Sequence, residues 1–310
     1  MRRVKGHNQH NLRKKAMQVL ESSTRVAIKN ILFLTDFTEA SQPAMDYAIE
    51  LGQRHGARFY AGHVQVPESA SALEEPALTE FFNAVREQRR AKLSELVKGY
   101  KLETEVLLAQ GGIEYAIQRW TVLHGIDLIV IGTHGRQGLQ RMLLGSNAEL
   151  ILRIANCPVL TVGPHVSRRK HDGDHLDRVL FATDLTPQSE YAISYALSFA
   201  HERCARLTCM HVIDRTGNIH DGRRIVSHCE KELRRLIPSD AALWCEPNIV
   251  VGEGEPAEEI VAFAEQDNSD LIVLGLPREK MFSSHFRSGV TYCVVSNAPC
   301  PVLTVRDMLT

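Results

Sequence analysis

At 310 residues, 44% hydrophobic and 24% charged, the chain has the composition of a soluble globular protein with enough apolar material for real cores. A formal net charge of −1 gives no general attraction to nucleic acid or anionic membrane, and 6% aromatic residues is too few for a base-stacking platform. No apolar stretch approaches the roughly 20 residues of a membrane span. The seven cysteines, odd in number and without a CxxC pair, do not suggest a secreted disulfide framework and fit a reducing cytoplasm best.

Residues 1–26 form a basic arm: over residues 1–30, eight Lys and Arg stand against Glu21 alone, a net +7 that leaves −8 for the remainder. The arm has no apolar core or small-residue cleavage site, so it does not read as a secretory signal. It reads as a solvated leader whose second half begins to pack, with nucleic acid or acidic lipid as the weaker alternative. From residue 27 onward, short β-branched apolar runs alternate with longer amphipathic ones. Strands are predicted near 28–35, 58–66, 104–109, 127–132 and 158–162, with helices near 40–55, 78–98, 113–124 and 146–155. Apolar runs that do not alternate mark strands covered on both faces, and helices between them imply right-handed crossovers and a parallel sheet. An exposed linker over 164–175 follows, rich in Arg, Lys, His, Asp and Gly. Beyond it, strands are predicted near 178–182, 206–213, 244–251, 270–275 and 301–305. The fold class is α/β: two tandem doubly wound domains, over 27–163 and 176–310, each a five-stranded parallel sheet with helices on both faces.

The second domain repeats the first. Ile31-Leu32-Phe33-Leu34-Thr35-Asp36-Phe37-Thr38 recurs as Val179-Leu180-Phe181-Ala182-Thr183-Asp184-Leu185-Thr186, and His63-Val64 recurs as His211-Val212, both at an offset of 148. Asp127-Leu128-Ile129-Val130-Ile131-Gly132 recurs as Asp270-Leu271-Ile272-Val273-Leu274-Gly275, and Cys157-Pro158-Val159-Leu160-Thr161-Val162 as Cys300-Pro301-Val302-Leu303-Thr304-Val305, both at 143. A period this long means duplicated domains, not a solenoid, and the second copy has lost five residues between its second and fourth strands.

In the first copy the fourth strand runs into Gly132-Thr133-His134-Gly135, and nine residues further on Gly145-Ser146-Asn147 opens a helix. Gly132 and Gly135 allow backbone to approach an anion closely, and Gly145 leaves room where the helix begins. Ser146 can cap that helix, and its hydroxyl and the first free N–H groups can donate to phosphate where the helix dipole favours negative charge. Arg136 and Arg141 add positive charge or face solvent. No Lys follows the glycines as a Walker loop requires, and the loop follows the fourth strand, not the first as in a dinucleotide fingerprint. By itself the loop specifies only phosphate, with plain turns as the alternative reading of its glycines.

These residues give the chain its resemblance to the universal stress protein family, in a tandem two-domain form, from about residue 27 to 306. It rests on Thr35-Asp36-Phe37-Thr38, His63-Val64, Ile131-Gly132-Thr133-His134-Gly135-Arg136, Gly145-Ser146 and Cys157 to Val162. The glycine pattern resembles that of the family's ATP-binding branch. The resemblance implies sheet order 3-2-1-4-5, which sets Asp36 beside Gly132 at the crevice where doubly wound folds bind ligands. It implies ATP with Mg2+ as the ligand: Thr35, Asp36 and Val64 along the adenosine, and Gly132, Gly135, Gly145 and Ser146 at ribose and phosphates, with Arg136 and Asn147 adjoining. Asp36 also reads as a cap for the following helix. The terminal strands, apolar and at sheet edges, imply antiparallel joining of the two domains into a pseudo-dimer, with a homodimer open.

The second copy departs from the pattern. Gly275-Leu276-Pro277-Arg278 puts Arg where the second glycine belongs, and Gly289 is followed by Val290. Pro277 removes a donor and Arg278 fills phosphate space, so this domain is not expected to bind ATP. Cys209-Met210-His211 reads as buried strand, and no metal or catalytic constellation stands out. Function therefore reads as a cytoplasmic, ATP-binding stress-response protein acting through an unidentified protein partner. A slow ATP hydrolase and a nucleotide-free scaffold are the alternatives.

Overall fold

The computed structural model describes residues 26–65, 75–133, 144–166, 177–214, 222–276 and 289–306. Strands form where both faces of an apolar run are covered. In β1 (Asn30–Leu34), Ile31 and Phe33 are buried in one core and Leu32 in the other. In β6 (Arg178–Ala182), Val179 and Phe181 enter the first core while Leu180 and Ala182 enter the second. Such a strand loses its water on both sides, which is why it shows no polar alternation.

The first domain continues with α1 (Gln42–His55), β2 (Arg58–Gln65), α2 (Glu75–Leu96), β3 (Thr104–Gln110), α3 (Ile113–His124), β4 (Leu128–Gly132), α4 (Ser146–Ile154) and β5 (Val159–Val162). After β6 the second runs through α5 (Pro187–Glu190), α6 (Ile193–Arg203), β7 (Arg206–Ile213), α7 (Gly222–Leu236), β8 (Glu246–Glu253), α8 (Pro256–Gln266), β9 (Leu271–Leu276), α9 (Val290–Asn297) and β10 (Val302–Arg306). The strands make one ten-stranded sheet in the order β3-β2-β1-β4-β5-β10-β9-β6-β7-β8. Each half has the expected order 3-2-1-4-5 and is parallel throughout.

The halves meet where β5 and β10 pair antiparallel, with Leu160 opposite Leu303. Two buried threonines repeat the pairing symmetrically: Thr161 Oγ1 donates to the Val302 carbonyl and Thr304 Oγ1 to the Val159 carbonyl, each at 3.1 Å. Both cores run across this seam, since Phe33 and Phe181 belong to one cluster and Ile129 and Ile272 to the other. His55 Nδ1 of α1 also lies 3.6 Å from Glu202 Oε1 of α6, and the Val26 N–H donates to Ser198 Oγ at 3.1 Å.

The repeated aspartates have a structural duty. The Asp127 carboxylate accepts the N–H of Lys29 at 2.8 Å and of Asn30 at 3.2 Å, tying the start of β4 to that of β1. Asp270 does the same for Asp177 and Arg178, at 2.7 and 2.9 Å. Burial pushes the Asp127 carboxyl above its ordinary range, against the opposing pull of those N–H groups. The cysteines likewise behave as small apolar residues. Burial pushes the Cys157 and Cys209 thiols up to about 12 and that of Cys245 to about 11. Cys209 and Met210 face opposite cores, and His211 bonds to a backbone carbonyl, so the Cys-Met-His run is strand packing.

Three boundaries differ from expectation for physical reasons. The helix predicted over 40–55 begins as a separate 3-10 turn, Glu39–Ser41, before α1. β8 starts two residues late because Trp244 and Cys245 pack into the core while still part of a turn, with Cys245 N–H bonded to the Ala241 carbonyl at 2.8 Å. Of the linker, Val166 folds back into the core, and 167–176 lie outside the described residues, as do 1–25 of the basic arm.

Candidate functional site

Both copies leave their first strand through the same turn. Thr35 Oγ1 accepts the Phe37 N–H at 2.9 Å and donates to Ser41 Oγ at 2.9 Å, because the Ser41 hydroxyl proton goes to the Thr38 carbonyl at 2.8 Å. Asp36 Oδ1 accepts both the N–H and the hydroxyl of Thr38, at 3.0 and 2.7 Å. His63 Nδ1 donates to the Thr35 carbonyl at 2.8 Å, which fixes its tautomer. This web holds Phe37 at φ 65°, a left-handed conformation that costs a non-glycine residue about 1–2 kcal/mol. Asp36 thus closes a local turn on Thr38; it does not cap a helix.

The second copy reproduces every bond. Thr183 meets Leu185 and Ser189, Asp184 Oδ1 takes both donors of Thr186, His211 reaches the Thr183 carbonyl at 2.9 Å, and Leu185 sits at φ 59°. The sequence signal is Thr-Asp-x-Thr-x-x-Ser, whose closing Ser41 and Ser189 the repeat comparison did not reach. Because both domains have it, this turn cannot by itself distinguish a binding domain from a silent one.

Gly132, where β4 ends, has a packing reason to be glycine. A Cβ there would lie 3.1 Å from the Ala40 carbonyl oxygen and 3.4 Å from Ser41 Cα. Gly275 is tighter still, at 2.4 Å from Ser189 Cα. Thr133, missed by sequence reasoning, is buried and links the two ends of the glycine loop. Its N–H donates to the Val162 carbonyl at 3.1 Å, and its own carbonyl accepts the Gly145 N–H at 2.8 Å.

Helix α4 starts from that anchor. Its N-cap is Gly145, extended at φ −61° and ψ 146° with no side-chain cap, so the cap expected of Ser146 falls one residue earlier. Ser146 is instead the first helical residue, exposed like Asn147 beside it. The first N–H groups of this helix have no intrahelical partner, which suits an anion. In the second domain, α9 starts from Gly289 with Val290, which offers no hydroxyl. The topology thus brings Thr35, Asp36, Val64, Gly132, Gly145, Ser146 and Asn147 to the carboxyl end of one sheet half, with Val64 partly buried beside the second core. Gly135 and Arg136, with His134, Arg141, Pro277 and Arg278, lie outside the described residues.

The model of the universal stress protein family matches residues 27–163 and again 175–306. The chain belongs to this family. A universal stress protein of Mycolicibacterium smegmatis is 27% identical over 288 residues, covering 89% of this chain and 96% of that one. One of Methanocaldococcus jannaschii is 33% identical over 140 residues, 43% of this chain and 81% of its own. A crystal structure of a universal stress protein from Archaeoglobus fulgidus superimposes with a TM-score of 0.65 at 19% identity, covering 92% of this chain and 98% of that one. That likeness fixes the fold of this universal stress protein in both halves. Among the described residues, no helix is long and apolar enough to cross a membrane, and no group of three or more His, Cys, Asp or Glu could hold a metal ion.

Proposed function

We propose that the first domain binds ATP, with Mg2+, at the carboxyl ends of β1 and β4. The chain then acts as a cytoplasmic stress-response regulator whose partner contacts follow the nucleotide state. The observation that carries this reading is a difference between two otherwise matching halves. Every bond of the first domain's Thr-Asp turn recurs in the second, where Thr186 adds a cap to Ser189 N–H, whereas the helix after the glycine loop opens with exposed Ser146 and Asn147 in one and with Val290 in the other. An anion at α4 would meet free N–H groups, a favourable dipole end and a hydroxyl. Thr35, Asp36 and Val64 would take the nucleoside, and Gly135 and Arg136 would complete the phosphate side. Asp36 spends Oδ1 on Thr38, which aims the carboxylate and leaves Oδ2 to receive a ribose or base donor.

Paired substitutions test this. Asp36→Ala and Asp184→Ala remove the same turn bonds and should cost similar folding stability, about 1 kcal/mol each. Only Asp36→Ala should weaken ATP-Mg binding measured by calorimetry, by about tenfold or more, the worth of a charged hydrogen bond. Equal ATP affinity in the two variants would contradict the placement of the nucleoside.

A further inference from the structure

Arg306, the last residue of β10, reaches out of the second domain into the first. It is buried, and its Nη2 donates to the carbonyls of Leu152 and Arg153, each at 2.9 Å. Those two carbonyls belong to the last turn of α4, where the helix itself supplies no donor. The seam's symmetry gives a built-in comparison. At the repeat offset of 143, the counterpart of Arg306 is Gly163, and a Cβ on Gly163 would lie 3.5 Å from the Val295 carbonyl oxygen at the end of α9. Both helices therefore end against the terminal strand of the other domain, but among the described residues only α4 receives a guanidinium there.

We infer that Arg306 is a positioning residue for the nucleotide site, the part of the second domain that holds the phosphate-facing helix of the first. The inference rests on the ATP reading above. A cation at the carboxyl end of a helix complements its dipole, and two hydrogen bonds from the one nitrogen Nη2 to successive carbonyls fix where the helix lies. The amino end of α4, about 13 Å away for nine residues, is where Ser146 would meet phosphate. A second domain with no ATP site of its own would still set the affinity of the first.

Hydrogen exchange and ATP titration on the full chain test it. In nucleotide-free protein, Arg306→Gly, which imitates Gly163, should speed exchange at the α4 amides by about tenfold and leave those of α9 unchanged. Its ATP affinity should fall by about fivefold. Arg306→Lys should restore most of both. Thr304→Val removes another hydrogen bond of the same seam without touching α4, and should leave α4 exchange and ATP affinity at wild-type values. Unchanged α4 exchange in Arg306→Gly, or an equal loss of affinity in Thr304→Val, would overturn the inference while wild-type ATP binding stands. A wild-type chain that binds no ATP would instead overturn the reading of the site, whatever the exchange data show for Arg306.

Discussion

Gly275→Ala is expected to be among the most destabilising single changes in this protein, at about 3 kcal/mol or more, the upper end of overpacking costs. A Cβ at that position would lie 2.4 Å from Ser189 Cα, 2.5 Å from its carbonyl oxygen and 2.8 Å from its carbonyl carbon. All three are backbone atoms, so no side chain can swing aside. Ser189 is also held by Thr183 and by the Thr186 carbonyl, so moving it breaks the turn at the end of β6. Gly132→Ala makes the same change in the first domain, but its nearest contact is 3.1 Å, and a shift of a few tenths of an ångström relieves it. We expect about 1 kcal/mol there. At 2–4 °C per kcal/mol, thermal unfolding should separate the two variants by roughly 4–8 °C. A larger loss in Gly132→Ala than in Gly275→Ala would show that packing against the turn is not what requires these glycines.

Gly135→Arg is expected to weaken nucleotide binding severely while leaving the fold intact. It gives the first domain the residue that Arg278 supplies in the second. A long cationic side chain would occupy the space the phosphates need, and the expected loss is about 100-fold in ATP affinity, or about 2.7 kcal/mol. Saturating ATP stabilises a binding protein by about 2.7 kcal/mol at a hundred times Kd, and that increment should vanish in the variant. Without nucleotide, the folding stability of the variant should stay within about 0.5 kcal/mol of wild type. A variant that ATP still stabilises as strongly as the wild type would mean that the glycines of this loop serve only as turns.

Much of the architecture was legible because burial on both faces writes a continuous apolar run. Leu128 to Ile131 and Leu271 to Leu274 could be read as strands, and the repeat gave the domain count. The topology needed the family resemblance, since apolar runs do not say which strands are neighbours. What could not be read depends on contacts between distant residues. Gly132 reads as a phosphate glycine until Ala40 and Ser41 are seen packed against it. His63 and Asp127 read as repeat markers until their carbonyl and N–H partners appear. The left-handed Phe37 carries no local signal, because phenylalanine rarely adopts that conformation without a surrounding web that imposes it. Arg306 reads in the sequence only as a charge that closes an apolar strand, and its purpose lies 153 residues away at Arg153.

The nucleotide content of the purified chain tests the central claim most directly. The full chain is purified without added nucleotide and denatured, and the released small molecules are identified and quantified by mass spectrometry. A working first domain and a silent second predict about one adenine nucleotide per chain, or one site filled on adding ATP-Mg. Two per chain would contradict the silence of the second domain, and none, with no uptake of ATP-Mg, would contradict the nucleotide site itself.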